Sequence, residues 1–460
     1  SLTASDLIRN FLLMGIDHET QNRLYKDYWV QIEERIPTNQ ISTFIRFFLT
    51  LNFGSTVTER RVYEEYKRFF KEHQFTSEEA IKELEAYSKY YQWLNEECIP
   101  SKKVNDRIKN INYMKATVVY PYLMQILKLA DDGVYSWNEI DDIFSIIESY
   151  LFRRSITDKK TNVLNKMFAA LSRDISIDKE KNRLVNELIN KRGTQIFPRD
   201  AEFINSFQSR DLYSRRNHLA KLVLMMLESN RTKETINFDT IQVEHILPQT
   251  LTNEWKVALK NANDVQLKYG DTIGNLTLTG YNSELSNKLF IEKSTMYKQS
   301  NITLTRELAE KYVKWDEKTI VTRAKELSTE ALTIWKFPVN LEEEIASSID
   351  GEHYLDEDVN ITGSKPKMIS INEKEFKIDS WTKLLTVFLD YVWEFDSQTF
   401  INLKKKEALK RLFMSREIKR PKLLSNGEKV ETNFSAETIL SIVKLIAVEY
   451  GIFDNISYTI

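Results

Sequence analysis

Apolar residues recur every three or four positions through most of the first 235 residues, and this spacing constrains the fold more than any other feature. Such a spacing forms one face of an amphipathic α-helix. It is seen in "SEEAIKELEAYSKYYQWLNEE" at 77–97, and again in "STFIRFFLTL", "YPYLMQILKLA", "NEIDDIFSIIESYLF" and "RRNHLAKLVLMMLE". Pro37, Pro100 and Pro198 fall between such segments, where a proline ends a helix without breaking it. We therefore predict one all-α region over 1–235.

The periodicity changes near residue 236. "INFDTIQVEHIL" is rich in β-branched residues and partly alternates, a helical "TNEWKVALKNA" follows, and "DTIGNLTLTG" is a second strand-like run. "YNSELSNKLFIEKSTMYKQS" is helical again. Two strands and a helix so close together predict a compact β-hairpin-plus-helix unit. With the helical stretches that follow, it forms a predicted domain over 236–340.

A run of acidic residues separates this domain from the rest of the chain. Residues 341–360 hold eight Asp or Glu and no Lys or Arg, which is typical of a linker, and we predict one over 341–364. Beyond it, "KMISINEKEFKIDSW" predicts a small hairpin and the remainder is mostly helical, so 365–460 is predicted as a small α+β domain. The predicted fold class is mainly α, and α+β overall.

The composition limits the compartments and partners of the chain. Hydrophobic residues make up 42% and charged residues 29%, which is typical of a soluble folded protein. No apolar run approaches the roughly 20 residues of a membrane span, and the first residues lack the features of a signal peptide. We expect a cytoplasmic protein with no membrane partner. The single Cys98 excludes an internal disulfide and a cysteine-rich zinc cage. A net charge of -2 means that nucleic-acid contacts must come from local patches.

His245 follows a carboxylate at the end of the first predicted strand, in "VEHILPQTL". Two interpretations compete: a packed histidine at a strand end, and the general base of a metal-dependent phosphodiesterase. Hydrolysis of a phosphodiester needs a base that deprotonates water and a cation that neutralises phosphate charge. A neutral imidazole suits the first task. Mg²⁺ or Mn²⁺ suits the second and prefers oxygen ligands.

Oxygen donors of the right type surround His245 in the sequence. Glu244 offers a carboxylate, although neighbours on a strand share a site only if the strand ends or twists there. Asn275 lies on the strand expected to pair with that of His245, where its side chain could hold either the loop after His245 or the ring itself. Asn282 and Asn287 are five residues apart, about 140° round a helix, so one ion is not expected to bind both, and Asn282 is preferred.

Together these segments resemble a known family. "VEHILPQ" followed by "IGNLTLTGYNSELSNKLFIEK" resembles the acidic-His-x-x-Pro, Asn-Leu and terminal Asn/His-plus-Lys pattern of HNH nucleases, also called His-Me finger or ββα-metal nucleases. It is most similar to the C-terminal nuclease domain of GmrSD-type, modification-dependent type IV restriction enzymes. The similarity continues through "LTRELAEKYVKWDEKTIVTRAKELSTEALTIW" and covers residues 236–337.

The resemblance implies a role for each residue of the pattern. His245 would be the base that activates water, and Asn275 would orient that base. Glu244 would bind a divalent metal, Mg²⁺ or Mn²⁺, together with Asn282 or, alternatively, Asn287. Lys293 would contact phosphate, and its alternative interpretation is a solvated lysine on a helix.

The first residues carry a second resemblance. "LTASDLIRNFLLMG" is similar to the trailing part of the ParB-like N-terminal domain of the same family. The family's upstream "DGQQR"-type motif, which is tied to nucleotide hydrolysis, does not occur in these 460 residues. We therefore expect any NTP dependence to belong to a preceding N-terminal segment.

Residues 403–422 carry nine basic and two acidic residues. One interpretation is a surface that contacts the DNA backbone, because phosphate is neutralised by local positive charge. The other is a solvated helix face. The candidate DNA-contacting residues are Lys404, Lys405, Arg411, Arg416, Lys419 and Arg420.

The resulting hypothesis is a metal-dependent DNA endonuclease or nickase that acts against foreign DNA. The expected partner is modified phage DNA, for example DNA with glucosylated hydroxymethylcytosine, and homo-oligomerisation is left open. One alternative is a non-catalytic DNA-binding or sensor module with a degenerate nuclease fold. Another is a nickase triggered by phosphorothioate DNA.

Overall fold

A computed structural model of the chain divides by its internal contacts into two units. Unit 1 comprises residues 1–189 and 197–339, and unit 2 comprises 190–196 and 340–460. Among the residues described, no helix has the length and apolarity needed to cross a bilayer. The structure describes residues 2–214, 217–232, 236–280, 282–338, 351–357, 359, 361, 364–413 and 421–460.

Helices form the first part of unit 1, as the apolar periodicity predicts. Helix α6 shows why they begin where they do: the hydroxyl of Thr76 accepts the backbone N–H of Glu79, and the Glu79 carboxylate accepts the backbone N–H of Thr76. The helices are α1 (Ala4–Leu13), α2 (His18–Leu24), α3 (Val30–Arg35), α4 (Ile41–Phe53), α5 (Val62–Glu72), α6 (Ser77–Asn95), α7 (Lys102–Tyr113), α8 (Tyr120–Asp131), α9 (Trp137–Ile156), α10 (Leu164–Leu171), α11 (Glu180–Ile189), α12 (Asp200–Ser209) and α13 (Asn217–Arg231).

Aromatic side chains fill the core of these helices. Phe44 and Phe48 of α4 are fully buried, and Phe48 packs edge-to-face on Phe69 of α5 at 5.3 Å between ring centroids. Tyr91 of α6 packs against Phe44 and Tyr120. The aromatic residues of "YSKYYQWL" therefore serve core packing, as their helical spacing predicts.

The second part of unit 1 is the predicted β-hairpin-plus-helix unit. Strands β1 (Gln242–His245) and β2 (Leu276–Thr279) pair antiparallel, with Glu244 opposite Thr277 and His245 opposite Leu276. Two short helices lie between the strands, so the excursion predicted there is confirmed. The helices are α14 (Asn253–Ala258), α15 (Ala262–Tyr269), α16 (Asn282–Leu285), α17 (Phe290–Tyr297), α18 (Thr303–Lys311) and α19 (Glu317–Ile334).

One hydrophobic core runs across the predicted domain border at 235/236. Leu219 and Val223 of α13 belong to the same buried cluster as Leu276 and Leu278 of β2. Helices α12 and α13 therefore pack with the hairpin, although the sequence groups them with the upstream helices.

Unit 2 is an antiparallel sheet with helices, which confirms its α+β character. Its four-stranded sheet has the order β3-β8-β4-β5, and β6 pairs with β7. The hairpin predicted from "KMISINEKEFKIDSW" is β4 and β5. The elements are β3 (Glu352–Tyr354), β4 (Met368–Ile371), β5 (Lys374–Lys377), α20 (Trp381–Phe395), α21 (Ser397–Leu403), α22 (Lys410–Phe413), β6 (Pro421–Leu423), β7 (Lys429–Glu431), α23 (Ala436–Glu449) and β8 (Ile456–Thr459).

The structure corrects part of the predicted linker at 341–364. Residues 341–350 lie outside the described part of the chain. Strand β3, however, falls inside the predicted linker and pairs with β8, with His353 opposite Tyr458. His353 is buried and its ring Nδ1 lies 3.0 Å from the Glu357 carboxylate, so acidic side chains here do not mark an extended linker.

Candidate functional site

His245 ends strand β1 and is almost entirely buried, at 8% exposed. Its ring Nε2 lies 2.8 Å from Oδ1 of Asp271, in the loop between α15 and β2. The ring of Tyr213 packs edge-on against the imidazole, with 4.4 Å between centroids and an interplanar angle of 87°. These two contacts fix the orientation of the imidazole.

The bond to Asp271 assigns the protons of the ring. An ionised carboxylate only accepts hydrogen bonds, so Nε2 carries the proton and Nδ1 is left with a free lone pair. Within the described residues, Nδ1 makes no hydrogen bond. Burial lowers the pKa of His245 below its usual value, and the neighbouring Asp271 carboxylate opposes this shift. His245 is therefore a neutral imidazole at pH 7, the form that a general base requires.

Sequence reasoning missed Asp271. The run "YGDTIGNLTL" does indicate it. When β1 and β2 are paired with His245 opposite Leu276, the residues just before Leu276 lie beyond the end of β1, and Asp271 is the acidic residue among them. The backbone also ties the site together, since the Leu212 N–H donates to the Asp271 carbonyl at 3.0 Å. That bond brings the loop that carries Tyr213 to the histidine.

Asn275 is fully buried and holds the loop that follows His245. Its Oδ1 accepts the Leu247 N–H at 2.8 Å and the indole N–H of Trp315 at 2.9 Å. Its Nδ2 donates to the carbonyls of Leu247 and Gly270, each at 2.9 Å. Among the described residues, all these side-chain bonds go to the loop after His245 and its surroundings, and none goes to the imidazole.

A side chain of α19 also holds the turn that contains Asn275. Arg323 is 3% exposed, and its Nη1 donates to the carbonyls of Ile273, Gly274 and Leu276 at 3.2, 2.9 and 2.7 Å. The backbone of α19 approaches closely here, since a Cβ at Gly274 would lie 2.4 Å from the Ile320 carbonyl oxygen. Glycine is therefore required at this position by close packing.

Glu244 points to the opposite side of β1 from the imidazole and is 3% exposed. Its Oε1 accepts from Lys293 Nζ at 2.7 Å and from the Tyr297 hydroxyl at 3.1 Å, both on α17. Burial raises the pKa of Glu244, and the Lys293 ammonium opposes this shift. Among the described residues, Oε2 has no hydrogen-bond partner.

The structure contradicts the prediction that Lys293 contacts phosphate. Its side chain is 0% exposed, and its ammonium is bonded to Glu244 and to the carbonyls of His245 and Ile246. A solvated lysine on a helix, the alternative, is also wrong. Helix α17 packs its lysine inward because the end of β1 offers a cluster of acceptors.

An open cleft of about 350 Å³ lies beside the end of β1. Glu244 and His245, which are neighbours on β1, are both among the residues that line it. The lining residues are Tyr213, Gln242, Val243, Glu244, His245, Pro248, Gln249, Thr250, Ser286 and Asn287.

Asn282 and Asn287 do not share a helix, so the helical-spacing argument against a common ion fails. Helix α16 begins at Asn282, as predicted, but ends at Leu285, and Ser286 adopts a positive φ of 43°. Asn287 is exposed and lines the cleft with His245. The side chain of Asn282 lies outside the described part of the structure.

The donors of the cleft suit a hard divalent ion. Among the described residues, no group of three or more His, Cys, Asp or Glu side chains is placed to hold a metal. Mg²⁺, however, keeps several waters and needs only one or two carboxylates besides the phosphates of its substrate. Glu244 and Asn287 are among the residues that line this cleft, and they carry one carboxylate and one amide.

The described DNA-contacting candidates of unit 2 lie on or beside two helices. Lys404 and Lys405 follow the end of α21 at Leu403, and Arg411 lies on the short α22, which begins at Lys410, so the DNA-contacting role stays a prediction. Lys404 pairs with Glu428, the Arg411 guanidinium lies over the Phe434 ring at 5.5 Å, and Lys405 is exposed. The remaining candidates, Arg416, Lys419 and Arg420, lie outside the described residues.

A family comparison covers the whole of the His245 site. Residues 197–330, which include Tyr213, Asp271 and Arg323, match a domain model of restriction endonucleases. The model is that of the C-terminal domain of the GmrSD restriction endonucleases, and the match covers residues 197–330 of the 460-residue chain. No curated protein matches the chain. The match confirms the resemblance and extends it upstream from 236 to 197. It supports a nuclease, a hydrolase whose substrate is DNA.

Proposed function

We propose that this chain is a metal-dependent DNA endonuclease or nickase of the His-Me finger type, with His245 as its general base. The observation that carries this proposal is the neutral, oriented imidazole at the end of β1, which lines a cleft together with oxygen donors. The GmrSD domain match supports cleavage of DNA as the reaction.

In the proposed reaction, Nδ1 of His245 takes a proton from a water molecule, and the resulting hydroxide attacks the phosphorus atom. The bond from the leaving 3′ oxygen to phosphorus then breaks. Asp271 accepts the Nε2 proton in a hydrogen bond throughout, which stabilises the imidazolium formed when Nδ1 is protonated. Asn275 fixes residues 246–248 and thereby the end of the strand on which His245 lies.

Glu244 and Asn287 are the residues proposed to hold Mg²⁺ or Mn²⁺, and Asn282 remains a candidate from its position at the start of α16. Such an ion, when bound, supplies positive charge that stabilises the phosphate oxygens and the leaving oxygen. Because Oε1 of Glu244 is occupied by Lys293 and Tyr297, Oε2 is the oxygen proposed to face the ion.

The proposed substrate is foreign DNA that carries a base modification, and glucosylated hydroxymethylcytosine is the first to test. The basic residues Lys405 and Arg411 of unit 2 are proposed as backbone contacts. Lys404 is a weaker candidate because its ammonium already pairs with Glu428.

The experiment is cleavage of plasmid and linear duplexes by the 460-residue chain with Mg²⁺ or Mn²⁺. The substrates are glucosylated, methylated, phosphorothioated and unmodified DNA, each incubated with the wild type, with His245→Ala and with Glu244→Ala. The proposal expects metal-dependent cleavage by the wild type alone. Binding in a gel-shift assay without cleavage of any substrate would instead favour a non-catalytic DNA-binding module.

A further inference from the structure

The end of β1 is tied to α17 by one buried ammonium group. Lys293 Nζ lies 2.7 Å from Glu244 Oε1, 2.8 Å from the His245 carbonyl oxygen and 3.2 Å from the Ile246 carbonyl oxygen. An ammonium has three N–H donors, so these bonds use all of them. With no exposed surface, Lys293 has no donor left for a substrate.

The three acceptors lie on, or directly after, the two residues that the proposed reaction uses. The bond to Glu244 holds one carboxylate oxygen on the α17 side, and the Tyr297 hydroxyl holds the same oxygen. The bonds to the carbonyls of His245 and Ile246 fix the two peptide groups that follow the imidazole-bearing Cα. A shift of the ammonium would therefore move the base and the carboxylate together.

Stability alone does not account for this arrangement. Removing two charges from water costs several kcal/mol per ion, and replacing a buried ion pair by apolar residues is often neutral or stabilising. A buried lysine at this position is thus weak support for a purely structural role. One of its three bonds goes to the Glu244 carboxylate and the other two go to the backbone carbonyls of His245 and Ile246, so all three hold the end of β1 that carries the proposed base. This arrangement points to a role in the site.

We propose that Lys293 is the positioning residue of the nuclease site, which sets the Glu244 carboxylate and the His245 imidazole as one unit through its three hydrogen bonds. This inference rests on the proposed nuclease function. It replaces the phosphate contact expected from the sequence with a role inside the protein.

The test is Lys293→Met, which keeps an unbranched side chain of similar length and removes the ammonium. Arg183→Met is the matched control, because Arg183 also bonds a fully buried carboxylate, that of Glu180 at 2.8 Å, and a backbone carbonyl, that of Leu171. For each variant, kcat and KM for plasmid DNA are measured per folded molecule. The ring resonances of His245 are recorded by NMR, and they can be assigned by their loss in His245→Ala because the chain has five histidines.

A positioning role predicts that Lys293→Met lowers kcat on the order of 100-fold while KM stays constant, since a small misplacement of reacting groups has an effect of that size. The His245 resonances should move in Lys293→Met and stay in place in Arg183→Met. A raised KM with unchanged kcat and a weaker salt dependence would overturn the proposal in favour of a phosphate contact. Unchanged kcat, or unmoved His245 resonances, would also overturn it.

If Lys293→Met does not fold, the double variant Glu244→Gln/Lys293→Met removes both charges and is compared with Glu244→Gln alone. The His245 resonances should differ between these two variants, and identical resonances would overturn the proposal. Failure of the proposed function has a different signature: wild type and His245→Ala would then cleave alike, whatever the NMR spectra of the lysine variant show.

Discussion

Replacing Asp271 with Asn tests whether His245 is held as a base by its carboxylate partner. In the native chain a 2.8 Å bond joins His245 Nε2 to Asp271 Oδ1, and the carboxylate can only accept. An amide at this position can also donate to Nε2. That bond favours the opposite tautomer, in which Nδ1 carries the proton and is no longer a base.

The expected decrease in kcat follows from the strength of the hydrogen bond between His245 and Asp271. A hydrogen bond to a charged group contributes about 1.5–3 kcal/mol, which corresponds to roughly 10- to 150-fold in kcat if the bond acts only in the transition state. Reversal of the tautomer adds to this loss. Because the Asp271 side chain is 29% exposed, the substitution should leave the fold intact.

The assay is single-turnover nicking of supercoiled plasmid by Asp271→Asn, with the unfolding midpoint measured in parallel. Asp264→Asn is the control, since it removes an exposed carboxylate from α15, the helix that precedes Asp271. The cleavage rate should fall at least about tenfold in Asp271→Asn and stay constant in Asp264→Asn. Equal rates for Asp271→Asn and wild type would refute the assignment of Nδ1 as the base.

Other predictions address packing and pH. Asn275→Ala leaves two buried N–H donors and two buried carbonyls without their partner. Chemical denaturation should therefore show a free energy of unfolding that is lower by about 3 kcal/mol or more. A smaller decrease would mean that water replaces the amide. Gly274→Ala should lower the free energy of unfolding by about 1–3 kcal/mol, because the added Cβ would meet the Ile320 carbonyl. Gly280→Ala is the control and should be tolerated, since the atom nearest to its added Cβ is 3.8 Å away. Equal melting temperatures for the two variants would argue against the close approach at Gly274. Since burial lowers the pKa of His245 below 6.5, kcat/KM should fall with increasing acidity with a midpoint below pH 6.5; a midpoint above pH 6.5 would contradict this.

The fold followed from the sequence where one local signal dominated. The apolar spacing gave the helices of unit 1, and the change to alternating β-branched residues gave the hairpin with His245 at a strand end. These features depend on period and pairing, which a sequence displays directly. The sequence places Asn275 on the paired strand, whereas the structure places it in the turn directly before β2, where its amide holds the loop after His245.

The parts that escaped prediction depend on tertiary contacts. Lys293 looks like an ordinary helix lysine, and only the packing of α17 against β1 shows its burial. The spacing of Asn282 and Asn287 led to the wrong conclusion that both lie on one helix. The helix ends at Leu285, and Ser286 has a positive φ. Asp271 reaches His245 through a loop whose path is set by the core rather than by periodicity.

The proposed role of His245 is to activate water for the cleavage of DNA. The most direct measurement compares His245→Ala with the wild-type chain on supercoiled plasmid in the presence of Mg²⁺ or Mn²⁺, with chelator added to a third sample. We expect nicked or linear product from the wild type and almost none from His245→Ala or the chelated sample. Equal cleavage by wild type and His245→Ala would contradict it.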